Sequence, residues 1–198
     1  MTSPTATSFS ICVYCGARPG VHPAYGQLAD ALGTAIGRRG WQLVYGGGRS
    51  GLMGRVADAT LAAGGRVVGV IPEALMQSEV GHRGLSELHI VQNMHQRKAL
   101  MARHADAFLA MPGGIGTFEE LFEVWTWRHL NYHQCPVGLL DTQGYWARLM
   151  PFLLHAAQEG FMGQDQMDML CSSEQVDALL DLLASKAQPG ARMDLSGI

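Results

Sequence analysis

Ala105-Asp106-Ala107-Phe108-Leu109-Ala110-Met111-Pro112-Gly113-Gly114-Ile115-Gly116-Thr117-Phe118-Glu119-Glu120 is the stretch that decides the fold. Its first seven residues are apolar except for Asp106, as expected of a strand covered on both faces. Pro112 and the glycines end that run, and from Gly116 to Tyr132 the residues suit an amphipathic helix. A strand feeding a helix through a glycine-rich turn is the unit of an α/β sheet. The turn also carries chemistry. Its glycines let backbone N–H groups approach an anion, and a helix opening at Gly116 or Thr117 aims its unpaired N–H groups and positive dipole end at the same point. The segment Gly113, Gly114, Ile115, Gly116, Thr117, Phe118 and Glu119 is therefore a candidate phosphate-binding loop, with the Glu120 carboxylate attached.

The same alternation continues in both directions. Strand-like runs occur at Phe9 to Tyr14, Trp41 to Tyr45, Arg66 to Ile71, Leu88 to Val91 and Pro136 to Leu140. Helix-like stretches fall at Pro23 to Arg39, Gly51 to Ala63, Met94 to His104, Tyr145 to Glu159 and Ser173 to Ala184. Val67-Val68-Gly69-Val70-Ile71 has no polar position, which a parallel strand between two helical layers requires. We expect a Rossmann-like α/β fold, a doubly wound and mainly parallel sheet with helices on both faces. At 198 residues and 47% hydrophobic, the chain suits one domain. Its core is expected over about residues 9–186, with flexible tails at 1–8 and 187–198. Right-handed crossovers would bring the loops that follow the strands to one edge of the sheet.

A second glycine cluster follows the strand that ends at Tyr45. Gly46, Gly47 and Gly48, with Gly51 and Gly54 beyond, form a second candidate cradle, so the ligand should carry a phosphate and something more. Gly46-Gly47-Gly48-Arg49-Ser50-Gly51 also satisfies the dinucleotide pattern G-x-G-x-x-G, and Glu73 ends the next strand where a ribose-binding acid would stand. Against a dinucleotide enzyme, the match sits on the second strand rather than the first.

Composition narrows the partner. A net charge of −3 and the lack of any Lys/Arg run leave no footprint for nucleic acid or a membrane surface, so a small molecule is expected. No stretch of about 18 apolar residues occurs, and Met1 to Ser8 lacks the layout of a signal peptide, which suggests a cytoplasmic protein. Cys12 and Cys15 have C-x-x-C spacing, but Cys12 lies inside a strand and no second pair completes a zinc site. His129 and His133 stand four apart on a helix without the glutamate or third ligand of a metal site, so no metal is expected. Trp125 and Trp127, with Phe118, Leu121 and Phe122, read as a packing surface and a contact between two copies of the chain.

Four blocks together, Val13-Tyr14-Cys15-Gly16, Tyr45-Gly46-Gly47-Gly48 with Gly51-Leu52-Met53-Gly54, Met94-His95-Gln96-Arg97-Lys98 and Pro112 to Glu120, resemble the Lonely Guy family of cytokinin-activating enzymes. The similarity runs from about Phe9 to about Leu183. It implies hydrolysis of the N-glycosidic bond of an N6-substituted adenosine 5′-monophosphate to free base and ribose 5-phosphate, by a homodimer without an organic cofactor. It places catalytic roles on Glu120 and Arg97 and substrate contacts at Glu79 and Thr126. The family usually carries serine after the first-strand glycine. Here Ala17-Arg18 departs from that pattern.

The chemistry of the residues agrees. Cleaving an N-glycoside passes through an oxocarbenium-like state, which needs a carboxylate near the anomeric carbon. Glu120 sits one turn into the helix whose N-terminus would hold phosphate. Glu119, roughly 100° around that helix, faces elsewhere. Arg97 offers a planar fork to phosphate or ribose oxygens, and Lys98 a second cation. The chain has one other lysine, Lys186, so a pyridoxal-phosphate decarboxylase would depend on Lys98 for its Schiff base, and nothing nearby completes such a site. A non-catalytic nucleotide binder or carrier using the same cradles stays open as the alternative, and a dinucleotide oxidoreductase after it.

Overall fold

The computed structural model describes residues 9–76 and 80–188. Residues 1–8 and 189–198, most of the expected tails, lie outside the described residues, as does Glu79. Seven strands form one sheet: β1 Ser10–Tyr14, β2 Gln42–Tyr45, β3 Arg66–Pro72, β4 Glu87–Val91, β5 Ala107–Ala110, β6 Val137–Leu140 and β7 Leu170–Ser173. Every pairing is parallel, in the order β4-β3-β2-β1-β5-β6-β7. Every residue of β1, β5 and β6 is buried, whereas Cys171 is the one buried residue on the two edge strands. Central strands read as unbroken apolar runs because both of their faces are covered.

The helices are α1 Pro23–Arg38, α2 Gly51–Ala62, α3 Met94–Arg103, α4 Ile115–His129, α5 Met150–Gln158, α6 Gln164–Asp168 and α7 Val176–Lys186. Alternation along β1 sorts them into two layers. Ile11, Val13 and Cys15 join a core with Leu32 and Ile36 of α1, Leu52 and Val56 of α2 and Leu179 and Leu183 of α7. Cys12 and Tyr14 join the opposite core with Met101 of α3 and Leu121 and Val124 of α4. This alternation also disposes of the C-x-x-C motif, since residues three apart on a strand face opposite layers. Burial pushes both thiols well above the ordinary cysteine range.

The structure departs from the sequence expectation where burial is thin. β7 has no counterpart among the expected strands: it buries one side chain and forms because β6 offers its free edge, Val137 beside Leu170. The helix expected from Ser173 starts at Val176 instead. The helix expected over Tyr145 to Glu159 divides into a 3-10 turn at Trp146–Arg148 and α5, whose first turn holds Pro151. Proline lacks the N–H that a continuous helix would need there. α4 ends at His129, short of Tyr132, with Asn131 at φ 61°. Among the described residues, no helix is long and apolar enough to cross a membrane.

From β1 the chain winds outward to β4, then returns to β5 on the other side and continues to β7. Neighbouring connections therefore diverge between β1 and β5, and a crevice opens at the carboxyl ends of those strands.

Candidate active site

A cavity of about 620 Å³ fills that crevice. One wall is the loop after β1, from Cys15 to Gly20, and the facing wall is Pro112 to Thr117 with Glu119 and Glu120 of α4. The Gly16 N–H donates to the Pro112 carbonyl at 3.1 Å, which brings the two loops together. Leu52 and Met53 at the start of α2, Leu75 after β3, Met94 and Arg97 of α3, Tyr25 of α1 and Tyr145 after β6 complete the lining. Among the described residues, no group of three His, Cys, Asp or Glu could hold a metal ion.

The loop after β5 is built as a cradle. A Cβ on Gly113 would lie 2.1 Å from Thr117 Oγ1 and 2.9 Å from Gly16 N, so this position accepts no side chain. A Cβ on Gly114 or Gly116 would meet no atom within 4 Å, so both positions open onto free space. α4 begins at Ile115 with Gly114 as its extended N-cap, and no side chain caps it. Its first amides are thus left to water or an anion. Glu120 is half-buried. It lines the cavity together with Cys15, just past the end of β1, and its charge adds to burial in pushing that thiol upward.

Arg97 is buried, at 5% exposure, and its Nη2 donates to the Gly46 carbonyl at 2.9 Å. A Cβ on Gly46 would stand 2.0 Å from that nitrogen, so Gly46 gives Arg97 its place. The rest of this loop serves the protein's own packing. Gly47, at φ +74°, lies against Ile71 and Val70 of β3, and Gly48 bridges Gly81. Gly46, Gly47 and Gly48 are not part of the cavity wall.

The other sequence candidates separate in space. Lys98 donates to Glu119 and, at 2.8 Å, to Glu123, and so ties α3 to α4. Partial burial pulls its ammonium down, but the hydrogen bonds and charges of both glutamates outweigh this and hold it above the ordinary lysine range. A protonated, doubly paired amine is no Schiff-base nucleophile. Phe118 is half-buried against Tyr145 and Trp146 and lies outside the lining, and Thr126 is exposed two turns further along α4. His133 turns inward, its Nε2 at 2.8 Å from the Val124 carbonyl, while His129 stays exposed. Burial holds the His133 imidazole down, to a pKa of about 4. Sequence reasoning passed over Tyr145. Its hydroxyl donates to the Gly113 carbonyl, and its ring packs edge-on to Tyr25 and Trp146. Nothing in the sequence links positions 32 apart.

Comparison with known proteins bears on the family and the fold. The family model described as "Possible lysine decarboxylase" matches residues 53–183. A cytokinin riboside 5′-monophosphate phosphoribohydrolase of Rhodococcoides fascians is 55% identical over 157 residues, 79% of each chain. One from Arabidopsis thaliana is 44% identical over 173 residues, 87% of this chain and 81% of its own. Among solved structures, the molybdenum cofactor carrier protein of Chlamydomonas reinhardtii superposes with a TM-score of 0.67 at 21% identity, covering 90% of this chain and 99% of that one. The molybdenum cofactor binding protein of Rippkaea orientalis gives 0.68 at 19%, covering 90% and 96%. At such identity these two establish the fold alone. The sequence matches reach further, and on them the chain belongs to the Lonely Guy family of cytokinin riboside 5′-monophosphate phosphoribohydrolases.

Proposed function

We propose that this protein hydrolyses the N-glycosidic bond of an adenosine 5′-monophosphate, plain or N6-substituted, releasing adenine or a cytokinin and ribose 5-phosphate. The observation that carries the reading is one cavity, in a chain of this family, lined by the start of α4, Arg97 and Glu120. The 5′-phosphate sits on the amides of Gly114 to Thr117, where the helix dipole favours negative charge. Glu120, one turn along the same helix, meets the ribose at its anomeric carbon. There it offsets the positive charge that develops as the C1′–N9 bond breaks, and it orients the incoming water. The water oxygen bonds to C1′, the bond pair leaves with the base, and the base takes up a proton. Arg97, fixed by Gly46, holds ribose or phosphate oxygens.

In this reading the enzyme acts in the cytoplasm as a homodimer, needs no organic cofactor and binds neither nucleic acid nor membrane. Exposed Leu130 and Tyr132 after α4, with Phe152 and Leu154 on α5, offer apolar surface to a second copy. The test is release of free base and ribose 5-phosphate from AMP and from N6-isopentenyladenosine 5′-monophosphate, with wild type, Glu120→Ala and Arg97→Ala. Turnover by wild type that falls at least ~100-fold in each variant is expected. Binding of AMP without release of base from either nucleotide would make the protein a carrier.

A further inference from the structure

We infer that the guanidinium of Arg18 is a charge partner of the substrate's phosphate, clamping a phosphate monoester from the wall opposite the start of α4. The identity of the ester rests on the hydrolase reading above.

Four charged side chains line the cavity: Arg18, Arg97, Glu119 and Glu120. Glu119 is answered by Lys98, and Arg97 is buried with one arm on the Gly46 carbonyl. Glu120 adds a negative charge close to the cradle. A phosphate monoester near neutral pH carries between about 1.5 and 2 negative charges. A helix N-terminus answers about half a charge. The helix start alone therefore leaves most of the anion's charge to the cations on the wall, Arg97 and Arg18.

Arg18 stands on the wall opposite the cradle. It is exposed at the rim, and its side chain makes no hydrogen bond or ion pair with any described residue. The backbone beneath it, by contrast, is held on several sides. The Leu52 N–H donates to the Gly16 carbonyl at 2.9 Å, and the Gly16 N–H reaches Pro112. Gly51, at φ +58°, lies so close that a Cβ there would stand 2.5 Å from Arg18 N. A fixed loop thus carries an unengaged guanidinium beside the anion cradle, which is how a preorganised ligand contact is built. A planar fork can bind two phosphate oxygens at once. This also gives a purpose to Ala17-Arg18, the position where the chain departs from the serine usual in its family.

The test compares wild type, Arg18→Ala and Arg18→Lys by calorimetric titration with ribose 5-phosphate, AMP and adenosine, alongside steady-state turnover of AMP and thermal melting. Arg18→Ala should weaken both phosphate esters about tenfold or more, the range of a charge-assisted hydrogen bond, and leave adenosine within twofold. KM should rise by the same factor with kcat within twofold and the melting temperature unchanged, and Arg18→Lys should recover part of the affinity. Unchanged affinity for ribose 5-phosphate in Arg18→Ala, or an equal loss for adenosine and AMP, would overturn the inference. Wild type that binds ribose 5-phosphate through Arg18 yet frees no base would uphold the inference and sink the hydrolase reading instead.

Discussion

The loop after β2 and the loop after β5 follow buried strands, carry at least three glycines within six residues and open a helix, yet their glycines meet different neighbours. In the first loop the missing side chains make room for protein: Arg97 at Gly46, β3 at Gly47, the Ala17–Arg18 peptide at Gly51 and the Arg49 carbonyl at Gly54. In the second, Gly113 is closed by Thr117 and Gly16, but Gly114 and Gly116 face nothing. A glycine left open at the start of an uncapped helix leaves room for a ligand, whereas one filled by a neighbouring strand or side chain supports the framework. One loop builds the site's frame, and the other presents its amides to the cavity.

Alanine substitutions can break this contrast. The largest expected effect is at Gly54, where a Cβ would lie 2.0 Å from the Arg49 carbonyl oxygen, a backbone atom that cannot step aside. Gly54→Ala should cost about 3 kcal/mol of stability in denaturant unfolding, the upper range for overpacking. A near-wild-type midpoint would show that the start of α2 yields more easily than its packing implies. Next comes Gly46→Ala, which collides with the end of a side chain rather than with backbone. The fold should survive while Arg97 is displaced, lowering kcat/KM about 50-fold, or roughly 2.3 kcal/mol, with little change in melting temperature. Full activity in a folded Gly46→Ala protein would separate Arg97 from the reaction. The smallest effect belongs to Gly116→Ala. Alanine is the better helix former, so stability should hold or rise by up to about 1 kcal/mol, while KM for AMP rises about fivefold as the methyl enters the phosphate's space. A loss of stability there would remove the distinction between the loops.

Much of this contrast is hidden in the sequence because both loops share one local grammar. The strands themselves are legible where both faces are buried, as at Val67 to Ile71, since no polar residue is tolerated there. β7 is illegible for the opposite reason: Leu170-Cys171-Ser172-Ser173 buries a single side chain, and its strand character comes from the edge of β6. Pro151 could have marked the break before α5, because proline belongs in a helix's first turn. The site is partly legible. The Pro112 to Glu120 block states its own geometry, because a helix start and a carboxylate one turn later are local relations.

What lies between distant residues could not be read in this way. Arg97 is 51 positions from the Gly46 carbonyl it holds, and Tyr145 is 32 from that of Gly113. Lys98 and Glu119 each read as a substrate contact in the sequence; the structure also pairs them with each other. The sequence by itself determined the parallel α/β class, the glycine-rich turn that opens α4 and the position of Glu120 along that helix, because apolar periodicity, glycine placement and helix register are properties of neighbouring residues. The tertiary structure alone decided which glycines are filled, which cations are already engaged and that Arg18 lines the same cavity as the start of α4, because those depend on the reversal of winding between β1 and β5, which brings together segments nearly a hundred residues apart.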